Sequence, residues 1–373
     1  MPVTVVPDPT PPLPRIVHTV TPGDVADATV PSGGNVFDLR LARALSTRGH
    51  QVHEHPVHGP WPHPEVKAQE RLDRCLAGIP SGQTVLVDGL VAAGAPQRLR
   101  RHAERIHLAI LLHLPVGDAA RNGEDGDPAV LDRAERAAVH AAHTVVTVSS
   151  WAARRVVEVH GVPPSRVSVA YPGTAAAPVT RPSDPGGRLL CVASVSPIKG
   201  HDLLVDALAR LRTHNWTCTM VGSLRRAPEF VAHVRRRRDD TDLGTRIHLA
   251  GPRSGPALES TYADADLLVL ASRVESYAMV VTEALARGIP VLAPAVGGLP
   301  EALGQDEDGA QAGILVPPRN ARALAWGLHR WLTHPQLRAG MRGAAIRRRA
   351  TLQSWDHTAR QLAVALSVGG AAR

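Results

Sequence analysis

Asp266-Leu267-Leu268-Val269-Leu270 is followed by Glu275-Ser276-Tyr277-Ala278-Met279-Val280-Val281-Thr282-Glu283 and then by Ile289-Pro290-Val291-Leu292-Ala293. The first run is short and apolar and reads as a buried strand. Ala284-Leu285-Ala286-Arg287-Gly288 reads as a helix end with Gly288 as its left-handed cap, and the last run as the next strand. Glu275 therefore lies in the loop leaving a strand, and Glu283 inside the following helix. Loops at the carboxyl ends of strands are where open α/β sheets bind ligands. A carboxylate buried without a partner is costly, so Glu283 in an apolar helix points to a ligand.

The same alternation runs through the chain. Strands are expected at 15–20, 50–54, 84–88, 106–113, 144–149 and 166–171. A second series is expected at 189–194, 217–222, 246–250, 266–270, 290–293 and 313–316. Helical patterns lie between them, as at 36–48, 150–160, 201–213 and 319–332. Strands separated by helices imply parallel sheets covered on both faces. Two sets of six imply an α/β chain of two doubly wound, Rossmann-like domains. Residues 175–187, rich in Pro and Gly without periodicity, read as the linker.

Composition narrows the classes. At 373 residues the chain is long enough for two domains, and 44% hydrophobic content fills their cores. Only 3% of residues are aromatic, so Leu, Val and Ala must do the packing. Cys75, Cys191 and Cys218 show no metal-ligand spacing; Cys191 and Cys218 fall in core strands, which suits a reducing cytosol. No apolar run is long enough for a membrane span. The stretch Pro7 to Pro14 lacks the basic-then-apolar order of a signal peptide, so a cytoplasmic location is expected. The net charge of +8 could suggest nucleic acid. The basic clusters, at 98–101, 235–238 and 347–349, are scattered and lack interleaved aromatics, so no nucleic-acid partner is expected. A phosphate-bearing substrate, or peripheral contact with an anionic membrane, suits the charge equally.

Of 42 basic Lys and Arg residues only two are lysines, Lys67 and Lys199. Lys67 sits in a polar helical stretch. Lys199 follows the strand Leu189–Ser194 in Ser196-Pro197-Ile198-Lys199-Gly200-His201, a turn into a helix. A compact ammonium at such a turn is suited to phosphate. Pro31-Ser32-Gly33-Gly34-Asn35 follows the first strand and opens a helix; its paired glycines let amides approach an anion. His113 ends the fourth strand and is expected to face the cleft. Asp264 and Asp266 imitate a metal-binding Asp-x-Asp, but they precede a buried strand. They read as a helix end and a strand start, and no metal is expected.

Lys199, Glu275 and Glu283, set in the second of two Rossmann-like domains, resemble family 4 of the retaining glycosyltransferases, of GT-B fold. Glu275 to Glu283 matches that family's E-x7-E signature, and Ala295-Val296-Gly297-Gly298-Leu299-Pro300-Glu301 the segment after it. Gly33-Gly34-Asn35, Ser149-Ser150-Trp151 and Tyr171-Pro172-Gly173 are similar as well. The resemblance implies an acceptor-binding domain over 1–182, a nucleotide-sugar-binding domain over 183–352, and a terminal helix within 353–373 returning to the first domain. It implies a nucleoside diphosphate sugar donor, a hydroxyl acceptor, no cofactor and no metal. Lys199 would pair with the diphosphate, Glu283 with the ribose diol, and Glu275 with sugar hydroxyls and the charge developing at the anomeric carbon. Amides of Gly33 and Gly34, and of the turn Tyr277-Ala278-Met279-Val280, would hold phosphate and sugar, and His113 would touch the transferred sugar.

Two departures stand out. The family commonly has an arginine where this chain has Ser194, within the donor site; Arg225 or Arg273 could supply the missing cation. Its usual glycine is Ala278 here, whose methyl would narrow the sugar pocket or alter the turn. Two other readings remain: a GT-B sugar-nucleotide epimerase, and a non-catalytic sugar-nucleotide-binding protein.

Overall fold

The structure, a computed structural model, describes residues 15–27 and 29–368. The Pro7 to Pro14 stretch and the ends of the expected first and last segments lie outside the described residues. Six strands, β1 (Ile16–Pro22), β2 (Gln51–Val57), β3 (Thr84–Asp88), β4 (His107–Leu112), β5 (Thr144–Thr147) and β6 (Val167–Val169), form one sheet in the order β2-β1-β3-β4-β5-β6. Six more, β7 (Arg188–Val192), β8 (Thr217–Val221), β9 (Ile247–Gly251), β10 (Leu267–Val269), β11 (Val291–Pro294) and β12 (Gly313–Val316), form a second in the order β12-β11-β10-β7-β8-β9. Every pairing in both sheets is parallel.

Side-chain alternation explains the layering. In the first sheet Val20, Val85, Val87, Leu108, Ile110 and Val145 pack to one side. Their neighbours Val17, Leu86, Ala109, Leu111 and Val146 pack to the other, against Phe37, Leu41 and Leu45 of the helix Gly33–Thr47. In the second sheet Cys191 of β7 and Cys218 of β8 are buried among Leu189, Leu190 and Met220, and burial pushes the Cys191 thiol up to about 12.

Strand ends lie within one or two residues of the sequence reading for most strands. β2 is the exception, running to Val57 where the sequence suggested 54. It runs through Pro56 because β2 is an edge strand, where proline is tolerated since no further strand needs its missing N–H.

The linker leads from β6 to β7, and the chain finally returns. Helix Trp355–Val368 packs on helix Gly33–Thr47 and on β5 and β6 of the first sheet. Thr358 Oγ1 donates to the Tyr171 carbonyl at 2.7 Å, and Gln361 Oε1 accepts from the Tyr171 amide at 3.0 Å. Among the described residues no helix is long and apolar enough to cross a membrane.

Candidate functional site

Strand order decides where a ligand can sit. In the second sheet the order reverses between β7 and β10, so the loops leaving these two strands diverge to opposite faces and open a crevice. The loop after β7 carries Lys199 and the loop after β10 carries Glu275. Across 76 residues of sequence they meet: Lys199 Nζ donates to Glu275 Oε1 at 2.7 Å. Ser272 Oγ donates to the same oxygen at 2.7 Å. Glu275 is buried and Lys199 half-buried, so the pair forms the floor of the crevice.

Two glycines allow this approach. Gly200 has φ +65°, and a Cβ there would fall 2.1 Å from the Ala271 carbonyl oxygen. Gly297 has φ +55°, and its Cβ would fall 1.8 Å from the Glu275 carbonyl oxygen. The motifs Lys199-Gly200 and Val296-Gly297-Gly298 thus clamp the Glu275 loop by close backbone packing.

Helix Met279–Ala286 starts beside this pair with no side-chain cap, so its first amides stay available to an acceptor. Ala278, its cap residue, has φ +71° and ψ 70°. The turn therefore keeps the left-handed geometry that glycine would favour, and the methyl is carried as strain. Ala278→Gly should stabilise the fold by about 1 kcal/mol, less the extra chain entropy of glycine. Urea unfolding checks this; a lower midpoint with unchanged slope would contradict it.

One turn on, Glu283 is half-buried and accepts from the Tyr262 hydroxyl at 2.8 Å. Burial raises its carboxyl pKa, against the lowering effects of the Tyr262 bond and of Arg287 and Arg40. Arg287 stacks 4.4 Å over the Tyr262 ring and bonds Glu259, bracing the support from behind.

The first sheet supplies the facing wall. Its order reverses between β1 and β3. The chain after β1 enters helix Gly33–Thr47, where Ser32 caps the Asn35 amide. Among the described residues the Gly33 and Gly34 amides donate no hydrogen bond. A Cβ on Gly33 would lie 3.8 Å from Met279 Cε, so the two helix N-termini face each other. A Cβ on Gly34 would lie 3.2 Å from His113 Cδ2, which places His113 behind the glycine pair. His113 Nε2 contacts Asp38 at 2.9 Å and Asp88 at 3.5 Å, and its side chain is 18% exposed. The ligand-type atoms of the three residues lie within 4.8 Å of one another. His113 Nε2 is hydrogen-bonded to Asp38 and within ion-pair range of Asp88.

The domains touch around the crevice. The Glu301 carboxylate accepts from the Ser150 and Trp151 amides at 2.9 and 2.7 Å, and the Tyr171 and Tyr277 rings lie 6.1 Å apart. Ser223 Oγ donates to the Thr29 carbonyl at 3.3 Å.

The structure thus brings together Gly33, Gly34, His113, Lys199, Glu275, Tyr277, Ala278, Met279, Val280 and Glu283. Ser194 is half-buried just beyond the end of β7. Of its two suggested substitutes, Arg273 is committed elsewhere, to Asp202 at 2.7 Å and to the Pro197 carbonyl. Arg225 is exposed beside the domain contact at Thr29. Asp264 caps helix Gly255–Ala263, and Asp266 spends its carboxylate on Ser183 and the Arg188 amide. Sequence reasoning missed Asp38, Asp88, Ser272 and Tyr262. Asp38 left a signal: it falls on the helix face of Leu41, Ala42 and Leu45, where a carboxylate is out of place.

Residues 179–348 match the family described as Glycosyl transferases group 1. A D-inositol 3-phosphate glycosyltransferase of Jonesia denitrificans is 30% identical over 257 residues, 64% of this chain and 59% of that protein. The chain spans 59–63% of the length of this and two similar actinobacterial relatives. The sucrose-phosphate synthase of Thermosynechococcus elongatus superposes with TM-score 0.74 at 22% identity, over 93% of this chain and 97% of that one. Anabaena HepE in complex with UDP-glucose superposes with TM-score 0.70 at 17% identity, over 95% and 99%. Residues 179–348 thus form a group 1 glycosyl transferase domain, and the chain has the GT-B fold.

Proposed function

We propose that this chain is a retaining, metal-independent glycosyltransferase that moves a sugar from a nucleoside diphosphate sugar to an acceptor hydroxyl on a small molecule, lipid-linked sugar or glycan. The observation that carries the proposal is the Lys199–Glu275 pair at the switch point of the second sheet, between two facing helix N-termini. The UDP-glucose held by the HepE neighbour supports the donor class.

Cleaving the sugar–phosphate bond builds negative charge on the diphosphate. Lys199 and the amides at Gly33, Gly34 and Met279 supply fixed positive ends that need no reorganisation as that charge appears. Ser194 lines the same wall. Glu283, held by Tyr262, accepts from the ribose diol and orients the nucleotide. Glu275 holds sugar hydroxyls and stabilises the positive charge at the anomeric carbon. His113 touches the transferred sugar from the first domain. The leaving phosphate oxygen then takes the acceptor's proton on the face it departs from. That path retains configuration and needs no protein nucleophile, only rigid placement.

Proton NMR of the first product from an α-linked donor, run in EDTA, tests both refinements. An α-linked product is expected at an undiminished rate. A β-linked product would contradict retention. Loss of activity restored by manganese or magnesium would contradict metal independence.

A further inference from the structure

The triad of Asp38, Asp88 and His113 holds more structure than contact with a sugar needs. Asp38 and Asp88 are 9% and 4% exposed, and both carboxylates reach the same ring nitrogen, Nε2. The Asp38 contact is made by Oδ1, and Oδ2 is buried with no hydrogen-bond partner. Asp88 is fixed in turn, accepting the Leu90 and Val91 amides at 2.7 and 3.4 Å as the cap of helix Gly89–Gly94. The Phe37 ring meets the imidazole edge-on at 5.2 Å and sets its plane. Nδ1 has no hydrogen bond among the described residues and is not one of the buried unpartnered atoms, so it is the nitrogen open to solvent or substrate.

We propose that Asp38, backed by Asp88, is a positioning residue that keeps His113 in the imidazolium form, so that Nδ1 presents an N–H donor to the bound donor substrate. The inference rests on the glycosyltransferase reading for its substrate and on the triad's geometry for its chemistry. A neutral ring with Nε2–H on Asp38 would leave Nδ1 a lone pair, unable to donate to a sugar hydroxyl's oxygen or a phosphate oxygen. A charged ring donates from both nitrogens, inward to the carboxylates and outward to the substrate. A second buried carboxylate on the same nitrogen adds to the preference for the charged ring.

The acid–base balance agrees. Burial works against the charged ring, but the Asp38 charge and hydrogen bond and the Asp88 charge outweigh it, so the His113 pKa is raised. Burial and the nearby Asp38 push Asp88 up to about 7, against His113 and the two capping amides. The form with His113 charged is therefore present at low pH and lost as pH rises through the raised value.

The test compares wild-type protein with Asp38→Asn, which keeps the shape and the bond to Nε2 but removes the charge. Donor turnover is measured from pH 6 to 9, and the His113 ring is followed by nitrogen NMR, its signal assigned by its loss in His113→Gln. In wild-type protein the ring should be doubly protonated at pH 7. In Asp38→Asn its titration and the alkaline limb of turnover should both move down by about one unit or more, roughly tenfold in rate at pH 8 and little at pH 6. A neutral His113 ring in wild-type protein at pH 7 would overturn the proposal. So would an Asp38→Asn rate lowered equally at every pH, which is the mark of a merely structural role. If Asp38→Asn does not fold, the wild-type ring titration alone decides. Absence of any donor turnover in wild-type protein would instead sink the transferase reading, and the ring titration would still report on the triad.

Discussion

Lys199→Ala should lower transfer about a hundredfold, and Lys199→Arg should not restore it. A charged hydrogen bond contributes roughly 1.5–3 kcal/mol, or about ten- to 150-fold, and this one faces charge that grows as the bond breaks. Alanine also leaves the Glu275 carboxylate, 8% exposed, with only the Ser272 hydroxyl as a side-chain hydrogen-bond partner among the described residues. Arginine restores charge but not shape. The ammonium fits where Gly200 and Ala271 are in backbone contact, and a planar fork is larger and stiffer. Steady-state rates at saturating donor, with circular dichroism to confirm folding, check the result. A fully active Lys199→Arg would mean that Lys199 does not touch the diphosphate.

The two glutamates should separate cleanly. Glu283→Gln should weaken binding of the free nucleoside diphosphate about tenfold or more, because a charged acceptor for the ribose diol acts in ground and transition states alike. Glu275→Gln should lower transfer about a hundredfold yet leave nucleoside diphosphate affinity unchanged or raised. Without ligand, Glu275 holds Lys199 at 2.7 Å and competes with the diphosphate for it. Removing that charge frees the lysine, while the stabilisation of positive charge at the anomeric carbon is lost. Equal losses of binding from both changes would mean the roles are assigned wrongly.

Much of this arrangement is legible in the amino-acid sequence. The twelve strands were legible because each is a short apolar run between turn residues, and parallel strands are buried on both faces. Lys199 and Glu275 were legible because each lies just past such a run, in the loop where α/β sheets bind ligands. Their contact was not, since it depends on β7 and β10 lying side by side, and strand order is set by long-range packing. The edge position of β2, which lets it run through Pro56, was hidden for the same reason. Asp88 read only as the end of a strand, and nothing local announces that one oxygen caps the next helix while the other reaches His113. Nor does anything local mark Tyr262, which is fully buried and whose hydroxyl donates to Glu283.

Calorimetric titration of wild-type protein and Lys199→Ala with UDP, GDP and ADP tests most directly whether the crevice between β7 and β10 is a nucleoside diphosphate site. At least one nucleotide should bind the wild-type protein at a single site, about tenfold or more tighter than it binds Lys199→Ala. Binding of none of the three, or equal affinity for both proteins, would contradict it.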